Sequence, residues 1–148
     1  MAKRPMPNPA NEMVWLDRGW QPAFIGFCPS KVAWRKAMKG LDCADEPYPG
    51  GAGRMTSFER KRDGQLTLIV TLGEGAEKHQ RRVEIAGLLA HEATHVWQYV
   101  RRNMGEDSPS AEFEAYSVQA IFQGLYQAWL DTRAPAEMLA AGAVREKV

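Results

Sequence analysis

The sequence predicts an α+β domain, with a small three-stranded sheet packed on one long helix and on a second, carboxylate-bearing helix that follows it. Three observations carry this expectation. Short apolar and aromatic runs separated by turn formers fill the first half of the chain. Unbroken helical text occupies residues 77–104. Beyond it Ala111, Ala115, Val118, Phe122, Leu125 and Trp129 recur at steps of three and four, as one helix face requires. With 148 residues, 45% apolar and 25% charged, the chain suits one domain whose core needs no disulfide staples. We assign residues 13–148 to that domain, and residues 1–12, rich in Pro and Asn, to a loose arm.

The elements follow in order. The run QPAFIGFC, residues 21–28, reads as a strand, and Pro29 and Ser30 end it. Ser30 caps a helix through Val32, Trp34 and Met38 that stops at Gly40. Residues 41–53 are dense in Pro, Gly and Asp and form a loop. RMTSFER and QLTLIVTL are strand-like, and Asp63-Gly64 between them signals a tight hairpin. One long helix is expected over residues 77–104, stopped by Gly105. Ser108 as cap and Pro109 in the first turn open the next, which runs to about Thr132. A short last helix starts at Pro135. The predicted order is β-α-β-β-α-α-α, with no repeat and no low-complexity segment.

Charge and composition narrow the partners. The formal net charge is +1, and the clusters Arg60-Lys61-Arg62, Arg81-Arg82 and Arg101-Arg102 are short, so neither nucleic acid nor an anionic membrane is favoured. No apolar run nears the ~18 residues of a membrane span, and no apolar stretch of secretory-signal type follows the basic start. Cys28 and Cys43 form no CxxC pair and read as two reduced thiols of a cytoplasmic protein. The run GGAG at residues 50–53 neither follows a strand nor opens a helix, so it is a loop and not a phosphate cradle.

The chemistry concentrates in HEATH, residues 91–95, inside the long helix. Positions i and i+4 share a helix face, so His91 and His95 can grip one ion from the same side. Neutral imidazoles suit zinc. Glu92 is rotated by ~100° from His91, beside the open position of such an ion and outside its ligand set. From there it can act as general base toward a metal-activated water. The third histidine, His79, reads as an exposed residue.

A catalytic zinc site usually has three protein ligands. The residues after His95, VWQYVRRNMG, supply no further histidine. The next helix carries two carboxylates, Glu112 and Glu114, in SAEFEAY. They lie ~200° apart around a helix, so only one can face the site. The apolar stripe points nearer to Glu114. Trp97 and Trp129 read as core. Gln98 and Gln119 read equally as cleft residues or as exposed polar ones.

HExxH followed, after a loop, by ExxA on the next helix resembles the gluzincins, and the short chain is similar to their compact members, the minigluzincins. The text LLAHEATHVWQYVRRNMGEDSPSAEFEAYSVQAI also resembles small proteins encoded by phages and prophages of Gram-negative bacteria. The resemblance covers about residues 65–130, and the N-terminal third only by element order. It implies a zincin core. It implies Glu112 as the third zinc ligand, with Ala115 as the small residue that lets the helices approach. Some relatives, including integral-membrane zinc proteases, place Asp four residues after the ligand Glu to orient a histidine, whereas this chain has Tyr116 there. A phenol can hydrogen-bond to a histidine or to an oxyanion, or it can simply pack, and both readings stay open.

Three functions remain. The leading one is a zinc metallopeptidase acting on a peptide or protein, with QLTLIVTL either pairing with an extended substrate or serving as a core strand. The alternative is a non-catalytic zincin-like module, possibly of phage origin, that binds a partner. Hydrolysis of a non-peptide amide is the third.

Overall fold

The computed structural model describes residues 7–41 and 45–133. It is α+β, but the sheet has four strands, not three. These are β1 (Val14–Trp15), β2 (Phe24–Cys28), β3 (Gly53–Glu59) and β4 (Leu66–Leu72), in the spatial order β1-β2-β4-β3. β2 and β4 are parallel, and the two outer pairings are antiparallel. The unpredicted strand has only two residues and no alternation to betray it. It depends on Gly26: any Cβ there would come within 2.7 Å of Met13 Cε and 2.9 Å of the Trp15 ring. That face of β2 therefore has to be bare for β1 to lie against it.

Helices cover both faces of the sheet. Ile25, Phe27, Leu66, Leu68, Val70 and Leu72 turn toward α3 (Arg82–Asn103) and α4 (Ala111–Thr132). Cys28, Phe58 and Ile69 turn toward Trp34 and Met38 of α1 (Lys31–Gly40). All seven residues of β4 are buried, as a strand covered on both faces must be. β4 is thus an interior strand with neighbours on both edges and has no edge left for a substrate. The open edge beside α3 belongs to β3.

Local signals set most boundaries. Ser30 Oγ accepts from Ala33 N–H at 3.1 Å and caps α1, as expected. It also donates to the Ala10 carbonyl, so the 3-10 turn Pro9–Asn11 sits against α1. The β3–β4 hairpin turns through Gly64 at φ 71°. Inside it Asp63 accepts from the Arg60 guanidinium and from Gln65 N–H, which hold its carboxyl down at about 2.

Two helix boundaries differ from expectation. The long helix is two: α2 (Ala76–His79) and α3, broken at Gln80 and Arg81, both of extended backbone. Glu84 Oε2 accepts the Arg81 N–H at 3.0 Å, giving α3 its own N-terminal cap. α4 starts two residues later than expected, because Ser110 rather than Ser108 caps it, accepting from Phe113 N–H at 3.2 Å. Ser108-Pro109 stays outside the helix. The expected helix from Pro135, residues 1–6 of the arm and Cys43 lie outside the described residues.

Cys28 is a free, buried thiol that donates to the Ser30 carbonyl at 3.2 Å. Burial pushes it up to about 11, and the Ser30 backbone as a donor to the sulfur opposes this only in part. Burial also raises the phenol of Tyr48. Cys28 binds more protons folded than unfolded above the ordinary thiol pKa of about 8.5, and Tyr48 only above the ordinary phenol pKa of about 10. The Cys28 contribution is therefore complete below about 8.5 and is lost as pH climbs toward about 11, with at most about 3 kcal/mol. We expect the urea midpoint to be flat from pH 7 to about 8.5 and to fall by about pH 10.5, more steeply than in Cys28→Ala. Equal slopes in the two proteins would remove Cys28 as a cause.

Candidate metal centre

α3 buries Ile85, Leu89, Glu92, Ala93, Val96, Trp97 and Val100. That face meets the sheet and α4, and it leaves His91 and His95 exposed on the flank. One turn apart, the two imidazoles converge: Nε2 stands 3.0 Å from Nε2, with the rings nearly perpendicular at 82°. Two donors on a tetrahedral zinc at about 2.0–2.1 Å each would stand about 3.3 Å apart. The pair is thus arranged as two neighbouring ligands of one ion would be.

Glu92 is the one charged residue in the buried row of α3, only 5% exposed. The first residue of β3 lies over it: a Cβ on Gly53 would be 3.5 Å from Glu92 Oε1 and 3.7 Å from Leu88 Cβ. No protein donor reaches the Glu92 carboxylate among the described residues. A buried carboxylate without a donor is costly unless water or a cation shares its site. Further along the same flank, Ser57 of β3 hydrogen-bonds to the Tyr99 hydroxyl at 3.2 Å. Tyr99 lies seven residues, about two turns, beyond Glu92. Gly53 and Tyr99, unmarked in the sequence reading, thus fix β3 alongside the histidine flank. The two-turn spacing from Glu92 was the one available signal for Tyr99.

The carboxylates of α4 fall differently from the expectation. The buried stripe of α4 is Ser117, Ile121, Leu125, Ala128, Trp129 and Thr132. Glu112, nine residues before Ile121, points ~180° away from it, and Tyr116, five before, ~140° away. Both are exposed, Tyr116 by 66%. Glu114, seven before Ile121, lies within ~20° of the stripe. It turns to α3, where its Oε2 accepts from Trp97 Nε1–H at 3.0 Å. Among the described residues no three His, Cys, Asp or Glu side chains converge as a metal-holding group. The structure brings His91 and His95 together, sets Glu92 in the buried row of the same helix, and does not bring Glu112 or Tyr116 to the pair. The residues present therefore fit zinc as a two-histidine half-site, and among the described residues no third protein donor is in place. His79 is exposed on α2, as expected.

No protein-family model, curated protein or solved structure matches the chain. Its chemistry has to be read from its own residues.

Proposed function

We propose that this chain is a zinc-dependent hydrolase of peptide bonds, a zincin of the gluzincin type working in the cytoplasm, with His91 and His95 as metal donors and Glu92 as general base. The observation that carries the reading is the convergence of the two Nε2 atoms at 3.0 Å on the helix whose buried row carries Glu92. Zinc, when bound, would polarise the scissile carbonyl and lower the pKa of its water to about 7. The chain's own contribution is proton handling and positioning. Glu92 would take the proton of the attacking water as the new C–O bond forms, and then give it to the leaving amine nitrogen as the C–N bond breaks. β3, the open sheet edge beside α3, offers unpaired backbone groups to an extended peptide. The ExxA text would make Glu112 the third ligand and Tyr116 a donor to the oxyanion, roles that require α4 to turn from the orientation in which both face solvent. The orientation of α4 favours Glu114 instead. No helix among the described residues is long and apolar enough to cross a membrane, consistent with a peptide substrate met in water.

A second reading, a non-catalytic zincin-like module that binds a protein partner, draws support from the missing third donor. Metal analysis and zinc titration test the first. Purified protein is expected to hold about one zinc per chain, and His91→Ala to lose it. Equal zinc in both would end the metal assignment. In the same titration, weakening by Glu112→Ala alone would uphold the ExxA ligand, and weakening by Glu114→Ala alone would transfer that role to Glu114.

A further inference from the structure

We propose that Gln98 is the positioning residue of the histidine pair: it orients His95 and holds the proton of that ring on Nδ1, so that Nε2 presents a lone pair toward His91. The inference rests on the reading above only in its metal arm. Gln98 Oε1 lies 3.1 Å from His95 Nδ1. An amide oxygen only accepts, so the bond requires Nδ1–H. In a neutral imidazole the other nitrogen is then an acceptor. That nitrogen, Nε2, faces His91 Nε2 at 3.0 Å.

The contact is local to one continuous helix: Gln98 follows His95 by three residues, so the two side chains stack along one face of α3. Gln98 is half-buried and His95 exposed, so the bond lies at the protein surface. The pair is asymmetric. His91 Nδ1 has no such acceptor among the described residues, so one ring is held and the other is left to adjust. Tyr116, the residue whose sequence position suggested an orienting role, lies on the outward face of α4 with no hydrogen bond to either ring. An acceptor that fixes the tautomer of a ligand histidine typically changes metal affinity 10–100-fold when removed.

Ring-nitrogen NMR on metal-free protein near pH 7.5, with wild type, Gln98→Leu and Gln98→Glu, tests the first arm. His95 is expected as the Nδ1–H tautomer in wild type and in Gln98→Glu, which keeps an acceptor. In Gln98→Leu it should return toward the Nε2–H form that free histidine prefers. Zinc titration is the second arm, with affinity expected to fall about 10–100-fold in Gln98→Leu and to be kept in Gln98→Glu. An Nε2–H tautomer in wild type, or one tautomer common to all three proteins, overturns the proposal. A tautomer change in Gln98→Leu in a protein that binds no zinc in any form upholds the positioning role and overturns the metal reading instead.

Discussion

Glu92→Gln is expected to lower peptide hydrolysis by about 100-fold or more while leaving zinc binding near that of wild type. Glutamine has the shape of glutamate but cannot take a proton from water. The comparison is clean because an amide has the size of the carboxylate and fits under Gly53, where the side chain is 5% exposed. Only the proton acceptor is removed, while His91 and His95, on the exposed flank, are untouched. A second readout needs no substrate. No protein donor reaches the Glu92 carboxylate among the described residues, so no hydrogen bond is lost and in metal-free protein the amide should melt near the wild-type temperature. The measurements are kcat on any peptide that wild-type, zinc-loaded protein cleaves, and a thermal melt of each apo protein. Wild-type turnover in the variant would remove Glu92 as the base. A failure of zinc-loaded wild type to cut any member of broad peptide libraries would shift the balance to the binding module.

Trp97→Ala is expected to cost about 3–5 kcal/mol of stability, a large share of the roughly 5–15 kcal/mol a domain has. Trp97 is 1% exposed and stands where three elements meet. Its ring meets Phe113 of α4 edge-on at 5.2 Å and Trp20 of the β1–β2 connection at 6.4 Å. Its Nε1–H is the donor that holds Glu114. Truncation would leave a cavity and release the first turn of α4 from α3. Trp97→Phe keeps a ring and loses the donor, so it should cost the roughly 1 kcal/mol of the hydrogen bond plus a partial loss of packing, short of the alanine variant. Urea unfolding of the three proteins measures this. A cost under about 1 kcal/mol for Trp97→Ala would mean that α4 is anchored elsewhere. Because Trp97 occupies Glu114, the phenylalanine variant also shows whether that carboxylate, once released, changes zinc affinity.

Much of this arrangement was legible because it depends on neighbours in the chain. The i, i+4 spacing of His91 and His95 on a helix put their rings side by side, and the structure has them so. Ser30 as a cap and Asp63-Gly64 as a hairpin turn are similarly local, and both occur as read. Pattern also marked Trp97 and Trp129 as core residues, and both are buried. Where a second local signal competed, the reading slipped. Ser108 and Ser110 both suit an N-cap, and the chain uses the second. Glu84 reaching back to Arg81 N–H divided what had read as one helix.

What the sequence determined by itself was therefore the presence and type of the main elements, the paired histidines with Glu92 one step round the same helix, and the limits that charge and apolar content set. What only the tertiary structure decided was how those elements face one another. A strand of two residues carries no periodicity, so β1 became visible only where Gly26 lets Trp15 lie against β2. Whether residues 66–72 formed an edge or the interior of the sheet depended on partners far away in the chain, and they proved interior. The rotation of α4 is of the same kind. ExxA spacing is a statement about one helix, whereas a third ligand needs two helices in register, and that register is set by Trp97 packing on Phe113 and bonding to Glu114. A spacing along one helix fixes angles about its own axis to within tens of degrees. It says nothing of the angle at which the next helix is docked, because that angle is chosen by the side chains the two bury together.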